Sequence, residues 1–189
     1  MNVIHTDLYA LGEYGKHLKR LPAEDRYSRF GANLTDFSID QILLNMVYNP
    51  KDHELWFAVD HEGNSIGWGH MARNEDDSWE LAVSVDAKHQ RKGIGGKLIE
   101  EMLAWAKFHK VTEVFMHCIE NNKVIQHLAL KHELKTRERG HGERTAAIEV
   151  PEPSVTEFTS QLFKEQADII QEITELRGRL ISLWFNRKV

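Results

Sequence analysis

Hydrophobic and polar positions change their period along the chain, and the changes mark its elements. Leu8, Leu11, Leu18 and Leu21 recur at roughly helical spacing, so residues 8–20 are expected as a helix, with Thr6-Asp7 as its cap and Pro22 as its stop. A second helix is expected over 39–48, capped by Ser38 and ended by Asn49-Pro50. Residues 55–60 and 65–73 read as strands joined by a turn at 61–64. Gly67 and Gly69 inside the second strand predict a bulge or the close approach of another element. Asn74-Glu75-Asp76-Asp77 then turns the chain back into Trp79.

The stretch 79–110 organises the rest. Residues 79–85 carry apolar and β-branched side chains at the density of a buried strand, whereas Ile94, Leu98, Met102 and Trp105 recur at helical spacing beside Ile99, Leu103 and Ala106. The loop between them holds Gln90, Arg91, Lys92, Gly93, Ile94, Gly95 and Gly96. Glycines at the opening of a helix let successive N–H groups converge on one spot, and the helix end adds partial positive charge. With Arg91, Lys92 and Lys97 this predicts an anion cradle suited to a pyrophosphate. A P-loop fits less well, because Leu98 follows Gly96-Lys97 where a Ser or Thr is needed and the glycine spacing differs. The dinucleotide pattern also fits less well, since it wants a glycine or alanine where Leu98 stands, and Glu113 is only a weak candidate for its acidic partner. A glycine-rich turn without a ligand explains the loop less well, because three glycines and three cations in eight residues exceed what a turn needs.

Beyond the central helix, residues 112–119 read as a strand, and Asn121-Asn122 opens a helix carrying Val124, Ile125, Leu128 and Ala129. Residues 134–137 and 144–150 are expected to close the domain as a hairpin about a charged turn at 138–143. Pro151 and Pro153 mark the boundary, which gives a domain at 1–150 and a linker with a helix at 151–189. In that helix Phe158, Leu162, Ile169, Ile173, Leu176, Leu180 and Leu183 follow 3-and-4 spacing, interrupted only by Gln166, for ~40 Å. Such a stripe is expected to form a homodimer or to dock on a partner. Packing back on its own domain is the alternative.

Composition narrows the function. The 189 residues are 41% hydrophobic and 28% charged, an ordinary globular balance, and no apolar run is long enough to span a membrane. The first ten residues have no basic region leading into a secretory core, so the cytoplasm is the expected location. Cys118 is the one cysteine, and the eleven histidines show no zinc-binding spacing, so neither a disulfide nor a metal is expected. A net charge of -5 makes a nucleic-acid partner unlikely.

Gln90-x-x-Gly93-x-Gly95 after the strand LAVSV resembles the acetyl-CoA signature of the GCN5-related N-acetyltransferase (GNAT) superfamily, over roughly residues 8–150. The resemblance implies an α/β fold: a mixed, mostly antiparallel central sheet with flanking helices, here with the long C-terminal helix added. It implies that the strand splays from its neighbour to admit the pantetheine arm, which carries over to Val83, Ser84 and Val85. It also implies pyrophosphate binding by residues 91–96 and a contact from Asn122, which would serve equally as an N-cap. The family's usual tyrosine acid is absent, Ala129 standing in its place. Water, His127 or His132 would have to protonate the leaving thiolate.

Asp25-Arg26-Tyr27-Ser28-Arg29-Phe30 also looks like a stretch found near the start of a subset of these enzymes. Read by spacing alone, Tyr27 and Phe30 pack while Asp25 and Arg29 pair at i,i+4. Read by resemblance, the segment walls the acceptor site. Acetylating a lysine amine, whose reference pKa is about 10.4, requires a base. Glu80, at the start of the splaying strand and resembling a glutamate of several lysine-modifying members, is the expected one, and Val83 N–H is expected to face the thioester carbonyl. The expected activity is acetyl transfer from acetyl-CoA to a primary amine, a protein lysine or an N-terminal amine, by direct attack in a ternary complex. The alternatives are a polyamine or aminoglycoside acetyltransferase, and a catalytically silent CoA-binding or docking protein.

Overall fold

The computed structural model describes residues 1–6, 8–119, 135–140 and 143–150, with individual positions at 127, 131 and between 154 and 170. The chain divides into two compact units, Met1–Glu152 and Pro153–Val189.

The first unit is built on a seven-stranded sheet: β1 (Asn2–Thr6), β2 (His53–Val59), β3 (Ser65–Arg73), β4 (Trp79–Val85), β5 (Glu113–Ile119), β6 (Lys135–Gly140) and β7 (Glu143–Glu149), in the spatial order β1-β2-β3-β4-β5-β7-β6. Neighbours are antiparallel except β4 and β5, which are parallel. Helices α1 (Leu11–Arg20), α2 (Ala23–Phe30) and α3 (Asp36–Tyr48) precede β2, and α4 (Ile94–Phe108) makes the crossover from β4 to β5.

Because side chains alternate across a sheet, two cores form. On one face Trp56, Ala58, Met71, Trp79 and Leu81 pack with Leu98, Ile99, Met102 and Trp105 of α4. On the other Leu55 and Trp68 pack with Tyr14, Leu18 and Leu21 from α1 and its end, and with Ile39 and Met46 of α3. Gly67 and Gly69 face α4. A Cβ on Gly69 would lie 2.5 Å from Met102 Sδ, and one on Gly67 3.2 Å from Ile94 Cγ2. The close approach expected of these glycines is therefore the seating of α4 on the sheet.

Several boundaries differ from the sequence reading. The amino-terminal residues form β1, an edge strand paired with β2. The first α-helix starts at Leu11, after a 3-10 turn at Leu8–Ala10, and Asp7 lies outside the described residues. Thr35, not Ser38, caps α3: its hydroxyl accepts from Ser38 N–H at 3.1 Å. Tyr27 is exposed, while Phe30 packs against the second core. β2 begins two residues earlier than expected, which brings His53 into the strand. The closing hairpin is longer and its tip shorter, since β6 extends to Gly140 and β7 starts at Glu143.

In the second unit Ser154 and Glu157 form a capping box. Ser154 Oγ accepts from Glu157 N–H at 3.3 Å, and Glu157 Oε2 accepts from Ser154 N–H at 2.8 Å. The described residues that follow, up to Ile170, are helical, and the remainder of the expected helix lies outside the described residues.

Candidate active site

β4 and β5 run in register only at Trp79 with Val114 and Glu80 with Phe115. Beyond Glu80 the strands part. Asp86 N–H donates to the Ile66 carbonyl at 3.0 Å, which continues the β3 ladder in which Ser84 faces Trp68 and Ala82 faces His70. Bonded and non-bonded pairs alternate in an antiparallel ladder, so Ser84, Ala82 and Glu80 direct their backbone groups to β3. Leu81, Val83 and Val85 direct theirs to the opposite side, into the gap beside β5. Val83, in the middle of the unpaired run, thus offers both N–H and C=O to a ligand lying there. The Val85 carbonyl is already taken, by Gln90 Nε2 at 3.1 Å, and Gln90 also donates to Asp25 Oδ2 at 3.0 Å. Gln90 accordingly joins α2 to the end of the open strand.

The cradle follows directly. Gly93 is the N-cap of α4 at φ 81°, with no side-chain cap hydrogen bond, and the first helical bond runs from Lys97 N–H to Gly93 C=O. The N–H groups of Ile94, Gly95 and Gly96 therefore belong to the uncapped first turn. Nothing lies within 4 Å of where a Gly93 Cβ would project. Arg91 is exposed at φ 59°, a left-handed conformation, and Lys92 and Lys97 are exposed beside it, Lys97 pairing with Glu101 at 3.2 Å. The open donors, the cations and the empty approach fit a pyrophosphate, and the unpaired strand fits a pantetheine arm.

The face of β4 away from α4 carries the polar chemistry. Glu80 is half-buried there and has no hydrogen-bond or ion-pair partner among the described residues. Ser84 Oγ lies 2.8 Å from His17 Nε2, and His17 Nδ1 lies 3.1 Å from Asp86 Oδ1. Asp86 can only accept, whereas Arg20 Nη2, 3.3 Å from the same Nδ1, can only donate, so the two neighbours favour opposite tautomers of the imidazole. The geometry is that of a Ser-His-Asp triad, but its electrostatics are not. Burial lowers His17 to about 4 against the pull of Asp86, and Arg20 lowers it further. Arg20 also binds the same carboxylate through two bonds, at 3.1 and 3.0 Å. A base this weak does not activate a hydroxyl at neutral pH, so the cluster reads as a lock holding α1 on the open strand.

A second histidine pair lies one row away. His70 Nδ1 accepts from Arg29 at 3.4 Å, and its Nε2 donates to His53 Nδ1 at 3.1 Å. His70 is pushed well below its usual value by burial, with Arg29 and His53 adding to the effect. Burial also lowers His53. Asp25 and Arg29 do not form the expected i,i+4 pair, since Asp25 binds Gln90 and Arg29 turns to Tyr14 and His70. Asn122 and Ala129 lie outside the described residues. His17, Asp86, Arg20, His53 and His70 were missed in the sequence, and no spacing signals them, because each meets its partner only through the tertiary fold.

A family model described as the acetyltransferase (GNAT) family matches residues 21–133, from α2 through the open strand, the cradle and β5. The chain belongs to the GNAT family. This GNAT protein is an N-acetyltransferase with acetyl-CoA as co-substrate. Solved structures share its fold. They include the Vibrio cholerae spermidine N-acetyltransferase in complex with CoA and spermine (14% identity, TM-score 0.62, covering 78% of this chain and 95% of that one). A ribosomal-protein-alanine N-acetyltransferase from Brucella melitensis is similar (18%, TM-score 0.56, 78% and 97%). So is yncA from Salmonella typhimurium with its cofactor acetyl-CoA (12%, TM-score 0.60, 82% and 96%). No curated protein matches the sequence. Among the described residues, no helix is long and apolar enough to cross a membrane.

Proposed function

We propose that this GNAT enzyme acetylates a protein amine, a lysine side chain or an N-terminal amine, by direct attack on the thioester in a ternary complex. The observation that carries the reading is the position of Glu80. It is the last residue of β4 in register with β5, half-buried and without a partner among the described residues, at the point where the strands part. A carboxylate there can take the proton of an amine aimed at a thioester lying along Leu81–Val85, while Val83 N–H faces the gap to stabilise charge developing on the carbonyl oxygen. Most of the rate would come from holding amine and thioester together. In this account residues 91–96 hold the pyrophosphate, Val83 pairs with the pantetheine arm, Ser84 and Gln90 fix the strand that receives it, and Asn122 contacts the arm.

The structural relatives include a ribosomal-protein-alanine enzyme and a spermidine enzyme, so the fold alone does not choose the acceptor. Incubation with isotope-labelled acetyl-CoA and a mixture of peptides, spermidine and an aminoglycoside, with products identified by mass, tests the reading. Labelled peptide supports it. Label in the small amines alone would assign the enzyme to them, and cofactor binding without turnover would make it a docking protein. The apolar stripe of the helix expected over residues 154–185 supports an association role for it, in a homodimer or in a partner's groove. Light scattering of the full chain and of a chain ending at Val150 checks it, a dimer that becomes a soluble monomer being the supporting result.

A further inference from the structure

Among the described residues, nothing near Arg29 neutralises its charge. Its neighbours in the helical layer are each paired with a carboxylate, Arg20 with Asp86 at 3.0 Å and Arg26 with Asp36 at 2.8 Å. Arg29 has two contacts, to Tyr14 Oη and His70 Nδ1, both at 3.4 Å and both from Nη2, and its guanidinium lies 4.7 Å from the centre of the Phe30 ring. Nε and Nη1 have no hydrogen-bond partner among the described residues. The groups acting on His70 say the same: burial, Arg29 and His53 all lower it, and no carboxylate of the described residues opposes them. A half-buried guanidinium with most of its donors unused is costly unless something else satisfies it.

Its position relates it to the transfer point. His70 faces Ala82 in the β3–β4 register, and Glu80 lies two residues before Ala82 on the same face, which makes it the diagonal neighbour of His70. Arg29 thus meets His70 while Glu80 lies one diagonal step along the same face; among the described residues neither has an ionic partner, and they do not pair with each other. Had the fold used them as a structural bridge, they would have been brought within contact distance.

We propose that the acceptor amine carries a carboxylate close by, and that Arg29 binds that carboxylate while Glu80 faces the amine. The planar fork of arginine suits a carboxylate, and a polyamine would instead bring a second cation toward Arg29. The inference rests on the reading of Glu80 given above, and it names the feature that selects the substrate.

The test compares kcat/KM for acceptors that differ only in the carboxylate: peptides whose lysine or amino terminus lies beside glutamate or glutamine, and free lysine against cadaverine. Wild-type enzyme should prefer the carboxylate-bearing member by about ten- to a hundredfold. Arg29→Gln should bring that ratio close to one, mainly through KM, and Arg29→Lys should restore part of it. Acetyl-CoA affinity, measured alongside, reports whether the variants are folded. Lysine preferred over cadaverine through Arg29, with no peptide modified, would support the inference and remove the protein-amine reading. Equal rates within each pair, or a preference that survives Arg29→Gln, would overturn the inference while leaving peptide acetylation standing.

Discussion

His17 Nε2 lies 2.8 Å from Ser84 Oγ, across a sequence separation of 67 residues, and so fixes the first helix to the strand that opens beside β5. His17 is fully buried and is lowered to about 4, chiefly by that burial. The folded protein therefore keeps it neutral where the unfolded chain takes up a proton near its usual value. Stability from this group is complete above about pH 6.5, falls as pH drops toward 4, and is lost below, a total on the order of 3 kcal/mol. His53 and His70, also lowered, act in the same direction. Denaturant midpoints measured from about pH 7.5 down to about pH 4.5 should decline, and His17→Gln should flatten the decline at a lower absolute stability. A midpoint constant over this window would contradict the assignment.

Gly69 marks the closest approach of α4 to the sheet. Gly69→Ala should destabilise by about 1–3 kcal/mol, because the new Cβ meets a fully buried Met102. In a Met102→Ala background the same change should cost less. Equal costs in the two backgrounds would show that the contact is not what excludes a side chain at position 69.

Arg91 separates backbone strain from charge at the cradle. It holds a left-handed φ of 59° while exposed, a conformation that costs a non-glycine residue about 1 kcal/mol. Arg91→Gly should leave stability unchanged or slightly raised, yet weaken acetyl-CoA binding about three- to tenfold by calorimetry, through loss of a cation facing the pyrophosphate. Unchanged affinity would remove Arg91 from the site.

The local features were legible where one segment supplies all the information. The change from strand to helix spacing across residues 86–93 located the cradle, and Gly67 with Gly69 foretold the seating of α4. β1 was passed over because Asn2–Thr6 is short, and its apolar residues are interpretable only once β2 lies beside them. Thr35 was passed over for Ser38 because both are capping residue types three positions apart, and only the backbone turn decides between them. The polar clusters were illegible for a stronger reason. Arg29 looked like the partner of Asp25 four residues earlier, and its actual neighbour, His70, is 41 residues away in sequence. Helical spacing predicts which side chains can meet along a helix, but not which of them a sheet will draw away.

The central claim is that an amine is acetylated where β4 leaves β5, with Glu80 taking its proton. The steady-state rate of Glu80→Gln on a peptide acceptor, with acetyl-CoA affinity measured on the same preparation, tests this most directly. The account predicts kcat lowered about a hundredfold or more with cofactor affinity unchanged, because the amide keeps the shape of the carboxylate and cannot accept the proton. A variant that turns over at the wild-type rate would contradict it.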